Sequence, residues 1–261
     1  MMGEITLPKK KVKAEYHSPK NLIIFSKPKV GKTRLLAELE DCLIIDLEDG
    51  SDYVDALKIK ATSVEDIKAI GEQIKADGNP YKYIALDTIT ALETLCVPYA
   101  ETIYAKKPMG KNWFKKTADG KGYAPESGKA QYGSILNLPN GAGYPYLREA
   151  MVNVVEYVKG LAPRVILIGH IKDVLLEKAG AEFTSSDLDL TGKIKRILTS
   201  QSDAIGYLYR KGNNQNVLSF ATSDGVACGA RPNHLRNKEI VISEIAEDGT
   251  LTNHWDKIYI D

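Results

Sequence analysis

Ser26-Lys27-Pro28-Lys29-Val30-Gly31-Lys32-Thr33 is the stretch of this 261-residue chain whose reading decides the fold. Before it, Leu22 to Phe25 is a short apolar run that predicts a buried strand; after it, a helical pattern runs from Lys32 to about Glu40. The eight residues fit the Walker A pattern, with Ser26 in place of the first glycine. A loop that wraps its backbone N–H groups around phosphates must let the backbone come close, which Gly31 permits. The helix that follows points its positive N-terminal end at the same anion. Lys32 then neutralises the outer phosphates, and the Thr33 hydroxyl holds magnesium. The plainer alternative is a lysine-rich surface turn before a helix; the strand before it and the helix after it favour the phosphate loop. Ser26, Lys27, Pro28, Lys29, Val30, Gly31, Lys32, Thr33 and Arg34 are therefore the expected nucleotide contacts, with ATP and Mg2+ as the ligands.

Outward from the loop, Cys42 to Leu47 reads as a second buried strand. Val64 to Ala76 reads as an amphipathic helix, and Tyr81 to Leu86 as a third strand after the turn Gly78-Asn79-Pro80. Strands alternating with helices imply a parallel sheet, whose carboxyl strand ends share one crevice. Asp87 closes the third strand and is expected to bind, through water, the magnesium that Thr33 holds. Thr88 or Thr90, beside it, suits the N-cap of the next helix. The second strand ends in Leu43-Ile44-Ile45-Asp46-Leu47-Glu48-Asp49-Gly50, which brings three carboxylates to the crevice. Glu48 is the expected base for water; Asp46 and Asp49 are expected to be solvated turn acids.

Further along, a helix from about Ala91 to Ala105 is expected to be interrupted near Pro98, and Tyr146 to Gly160 makes another. Val165 to Ile168 is the strongest strand signal in the chain, and residues 191–201 suit one more helix. Ala204 to Tyr209 and Val217 to Ala221 flank Lys211-Gly212-Asn213-Asn214 and read as a hairpin. The expected class is α/β: a mainly parallel sheet flanked by helices, ending in antiparallel strands. Residues 106–146 stand apart, since 11 of these 41 positions are Gly or Pro and no periodicity is visible, the mark of a functional or disordered insertion. Residues 1–20 read as a basic arm and 21–261 as one domain carrying that insertion.

Together these residues resemble the RecA-like ATPases. Ile44-Ile45-Asp46-Leu47-Glu48 is similar to the strand that ends in that family's catalytic glutamate, and Leu86-Asp87-Thr88-Ile89-Thr90-Ala91-Leu92 to its Walker B strand. Val165-Ile166-Leu167-Ile168-Gly169-His170 is similar to the strand whose last polar residue senses the γ phosphate, with His170 where bacterial RecA has glutamine. Imidazole also donates to a phosphate oxygen. With Leu190-Thr191-Gly192-Lys193 leading to Asp203, the resemblance is nearest to phage-encoded nucleotide-binding or single-strand annealing RecA-like proteins, over about residues 20–245. It implies a P-loop NTPase core in which Lys32, Glu48 and His170 act on ATP. It also implies a homo-oligomeric ring or filament in which a basic residue from the neighbouring subunit completes the site. Arg231 and Arg236 suit that role by position, with Arg210 and Lys211 as runners-up.

In that family the segment after the sensor strand is a mobile DNA-contacting loop, a place held here by Lys172 to Thr191. It carries Lys172 and Lys178 against Asp173, Glu177, Glu182, Asp187 and Asp189, which disfavours phosphate binding. The insertion suits it better: residues 106–129 hold seven lysines and two acids. Lys111, Lys115 and Lys116 are interleaved there with Trp113 and Phe114, a combination that binds phosphates and stacks on bases of single-stranded DNA. A subunit-contact or merely flexible loop is the alternative.

Composition sets the outer limits. With 43% apolar and 26% charged residues the chain is expected to pack a core. A net charge of +1 gives no global attraction to nucleic acid or membrane. The cysteines, Cys42, Cys96 and Cys228, are three and far apart, which argues against a disulfide framework or zinc site. No apolar run is long enough to span a bilayer and the N-terminus lacks a secretory pattern, so the expected place is the cytoplasm, that of a host if the chain is phage-encoded. Lys9-Lys10-Lys11-Val12-Lys13 is expected to be a solvated end. The expected function is Mg-dependent ATP hydrolysis acting on single-stranded DNA in phage recombination, annealing or replication, with single-strand-binding or other replication proteins as partners. The alternatives are a nucleotide-dependent interaction module with little turnover and a P-loop small-molecule kinase.

Overall fold

In the computed structural model the described residues are 7–261 apart from 112–113, 117–122, 126–133, 179–180 and 224; for 111, 114–116, 123–125, 174–178 and 181–184 only the backbone is described. The chain runs β1 (Asn21–Ser26), α1 (Lys32–Ala37), β2 (Cys42–Asp46), β3 (Lys58–Lys60), α2 (Val64–Ala76), β4 (Tyr83–Asp87) and α3 (Ile89–Ala105). The insertion holds α4 (Pro108–Lys111), β5 (Phe114–Lys116) and β6 (Tyr123–Pro125). There follow α5 (Tyr144–Lys159), β7 (Arg164–Lys178), β8 (Ala181–Leu188), α6 (Gly192–Gln201) and β9 (Ala204–Lys211). The last strands are β10 (Gln215–Ser219), β11 (Gly229–Ala230), β12 (Glu239–Ile245) and β13 (Leu251–Asn253).

Among the described residues the main sheet runs in the order β13-β12-β10-β9-β1-β7-β4-β2-β3. The six strands from β9 to β3 are parallel neighbours, while β10, β12 and β13 continue antiparallel. This is the α/β class expected, with its C-terminal antiparallel strands. β1 explains why it forms: Leu22, Ile23, Ile24 and Phe25 are each at most 1% exposed, because both faces of the strand are covered. Ile23 and Phe25 pack with α2, α3, α5 and α6; Leu22 and Ile24 pack with α1 and with Trp255, Ile258 and Tyr259 near the C-terminus. The Trp255 indole N–H donates to the Leu35 carbonyl at 2.9 Å and ties that C-terminal segment to α1.

Three expectations are corrected here. α3 passes through Pro98 without a break, since Cys96, Ala100, Ile103 and Tyr104 are buried and tertiary packing outweighs the lost backbone bond. Lys172 to Thr191 is no open loop: β7 runs beyond the sheet and pairs antiparallel with β8 from Ile171↔Leu188 to Lys178↔Ala181, a two-stranded ribbon. α1 also ends at Ala37, earlier than Glu40.

Register places the chemistry. The pairings Ser26↔His170, Asp87↔Ile168 and Asp46↔Asp87 bring β1, β7, β4 and β2 to a common carboxyl edge.

Candidate nucleotide site

The loop after β1 turns on Gly31, at φ 108°, a left-handed conformation that side chains resist. Lys32, the first residue of α1, is only 8% exposed. Its ammonium donates to Ser26 Oγ at 3.1 Å and to the Lys27 carbonyl at 3.3 Å, and burial lowers its pKa against the raising pull of Asp87 and Glu48. Among the described residues no carboxylate pairs with it directly, and the two oxygens it bonds are neutral. A phosphate group answers that chemistry. Ser26, fully buried, explains its own place: its hydroxyl accepts from Lys32 and donates to Lys27 O at 2.8 Å.

Thr33 donates to Asp87 Oδ2 at 2.6 Å, joining α1 to the end of β4. Burial raises the Asp87 carboxyl above its ordinary range; the Thr33 bond and Lys32 oppose this, and Asp46 and Glu48 add to it. A carboxylate held in a dry site among other carboxylates is one that a divalent cation would relieve. Among the described residues no group of three or more His, Cys, Asp and Glu is placed to hold a metal. Thr33 and Asp87 alone fit magnesium, which takes one or two protein ligands and completes its shell from substrate phosphates.

Glu48 lies just beyond β2. Its Oε1 accepts from Thr88 Oγ1 at 2.8 Å, and His170 Nε2 lies 3.1 Å from Oε1 and 2.9 Å from Oε2. A carboxylate only accepts, so Nε2 carries the proton. His170 Nδ1 is buried and has no partner among the described residues. Thr88 does two things: its hydroxyl also accepts from Ala91 N at 3.1 Å and caps α3. Thr90 is not a cap; it accepts from His170 N at 3.1 Å and donates to the Asp189 carbonyl at 3.2 Å, at the base of the ribbon.

Asp46 departs from expectation. It is 2% exposed and not a solvated turn acid. Burial raises its pKa, but bonds from the Ser51 hydroxyl and the amides of Glu48, Ser51 and Gly50 outweigh that and hold its carboxyl below the usual range. Asp49 does lie in solvent, at φ 58°, paired with Lys60 at 3.0 Å.

Lys32, Thr33, Asp87, Glu48 and His170 are thus brought together. Arg231 lies elsewhere: it pairs with Asp203 at 3.3 Å and donates to the Ser200 carbonyl at 2.7 Å, at the start of β9, the opposite end of the sheet. Arg236 is beside it, donating to Arg231 O at 3.3 Å. Arg210 instead lines a cleft of about 610 Å³ with Lys27, Val30, Tyr207 and Tyr209, next to the phosphate loop. Trp113 lies outside the described residues, as do the side chains of Lys111, Phe114, Lys115 and Lys116. Thr88 and Asp46, as partners of the Glu48 segment, were missed in those roles. All three cysteines are buried, and burial pushes the Cys42 and Cys96 thiols up to about 12, which leaves them inert.

Among the described residues no helix is long and apolar enough to cross a membrane. No curated protein matches the chain. The AAA domain family model matches residues 18–231, which takes in the phosphate loop, Glu48, Asp87, His170 and Arg231. With a Walker A loop at the carboxyl edge of a mostly parallel sheet, and that match over most of its length, the chain belongs to the AAA domain family, a P-loop ATPase-like group.

Proposed function

We propose that the chain is a magnesium-dependent, RecA-like ATPase that couples nucleotide hydrolysis to single-stranded DNA in phage recombination, annealing or replication. The observation that carries the hydrolytic part is the joint placement of Lys32, Asp87, Glu48 and His170 on one strand edge. Lys32 binds the outer phosphates, giving up Ser26. Thr33 and Asp87 hold magnesium, which when bound neutralises phosphate charge and orients the triphosphate. His170 has one Nε2–H. If that donor turns to a γ-phosphate oxygen it leaves Glu48, and the freed carboxylate then orients and deprotonates water, held from the other side by Thr88. A basic residue of a neighbouring subunit, Arg231 or Arg236, completes the site across a ring or filament contact; Arg210, close to the chain's own loop, is the alternative.

The DNA part rests on the charge and aromatic content of residues 106–129, with Lys111, Trp113, Phe114, Lys115 and Lys116 as contacts. A second reading, a nucleotide-dependent interaction module with little turnover, draws on one fact: both Glu48 oxygens are already engaged. Comparing ATP turnover of the wild type and Glu48→Gln, with and without single-stranded DNA, separates the two. The hydrolase reading expects turnover that the strand stimulates and the variant loses. Equal rates in both proteins sink it. Salt-dependent binding of single strands should weaken in the Lys111→Ala/Lys115→Ala/Lys116→Ala protein, and unchanged affinity removes the insertion from the DNA site.

A further inference from the structure

We infer that Asp46 is a positioning residue for hydrolysis, holding the turn that carries Glu48 in the one shape that aims its carboxylate at the phosphate loop. The inference rests on the hydrolase reading above. Four donors converge on this buried carboxylate. Oδ1 accepts from Glu48 N at 2.9 Å and Gly50 N at 3.3 Å; Oδ2 accepts from Ser51 N at 2.9 Å and Ser51 Oγ at 2.5 Å. Two oxygens thus take up three amides of the turn, those of Glu48, Gly50 and Ser51, and one hydroxyl, and Ser51 is itself fully buried.

The surroundings fix the same segment at its two ends. Leu47 N donates to the Asp87 carbonyl at 2.8 Å, so the chain leaves the sheet only at Glu48. On the far side, the Lys58 ammonium from β3 donates to the Ser51 carbonyl and to Val54 O at 2.8 Å. Gly50 faces the phosphate loop: a Cβ there would lie 3.9 Å from Thr33 Oγ1. The turn therefore lies against the threonine expected to hold metal, and the residue that starts it is Glu48. No cation faces Asp46 within bonding distance among the described residues, so its charge is answered by the turn's own donors and not by an ion pair.

An amide cannot replace it. Asparagine offers one acceptor oxygen and sets an N–H₂ group against two of the four donors. The turn would reshape, and displacement of a reacting group by about 1 Å costs on the order of 10²-fold in rate. The test is single-turnover ATP hydrolysis and nucleotide affinity in wild type, Asp46→Asn, Ser51→Ala, Glu48→Gln and the double variant Asp46→Asn/Glu48→Gln, with rates normalised to nucleotide-binding sites. Asp46→Asn should lose about 10²-fold in rate with ATP affinity within about threefold of wild type. Ser51→Ala, which removes one donor and tests the idea if Asp46→Asn does not fold, should lose several-fold. Because Asp46 acts through Glu48, the double variant should be no slower than Glu48→Gln alone.

A rate for Asp46→Asn within about twofold of wild type overturns the inference, as do losses that multiply in the double variant. If Asp46→Asn does not fold, a wild-type rate in Ser51→Ala overturns it. Glu48→Gln as fast as wild type fails the hydrolase reading itself, and the inference falls with it.

Discussion

Thr88→Val keeps the shape of a side chain that is 1% exposed and removes its hydroxyl. Two bonds go with it. Ala91 N, at 3.1 Å, loses the cap of α3, and Glu48 Oε1, at 2.8 Å, loses a donor. A lost N-cap costs about 1 kcal/mol. A hydrogen bond to a charged group contributes about 1.5–3 kcal/mol. The lower end applies, because the Glu48 side chain is 34% exposed and keeps His170. The sum is about 2–3 kcal/mol, which for a chain of this size lowers Tm by roughly 5–10 °C. Thermal denaturation followed by circular dichroism, with urea titration for the free energy, measures it. Thr88→Ser retains the hydroxyl and should stay near wild type in stability and in ATP turnover, while Thr88→Val loses both. The reasoning is refuted if Thr88→Val lies within about 0.5 kcal/mol of wild type, or if the serine variant is as unstable as the valine one.

Ser26→Gly deletes the acceptor that holds Lys32 in the free protein, so it should tighten ATP binding about fivefold, roughly 1 kcal/mol, by titration calorimetry; weaker binding contradicts the assigned contact. Asp87, with its carboxyl raised by burial, binds more protons folded than unfolded between the ordinary carboxylate range and its raised value. Stability of the ligand-free protein should therefore fall as pH rises through that window. Asp87→Asn should flatten that slope, leaving the part that Glu101, also raised by burial, contributes, and melt higher than wild type at neutral pH, while losing the gain in Tm that magnesium and ATP give the wild type; an unchanged slope in a Tm-against-pH series tells against it.

The parts of the fold written in local patterns were legible. α2 spans Val64–Ala76 as its periodicity predicts, with Ser63 capping it through Asp66 N, and β2 follows its apolar run. The Lys211–Asn214 turn joins β9 to β10 in an antiparallel pair. β3 was invisible because all three of its residues are exposed and carry no burial pattern. The ribbon was missed because Ile171–Lys178 pairs with Ala181–Leu188, a cross-strand pairing that the local sequence pattern does not announce. In the site, Lys32, Thr33 and Asp87 were marked by motif spacing. Asp46 was not, since its four donors come from residues that meet it only once the turn has formed, and acids on strand ends are usually wet. Thr88 showed its capping role in sequence, but its bond to Glu48 spans forty residues and depends on β2 and β4 being neighbours.

The central claim is tested most directly by a structure with magnesium and a non-hydrolysable ATP analogue. The account predicts the γ phosphate between the Lys32 ammonium and the Glu48 carboxylate, with the ion on Thr33 and Asp87 and His170 turned from Glu48 toward a phosphate oxygen. A triphosphate bound away from Lys32, with Glu48 and Asp87 facing a separate pocket, contradicts it.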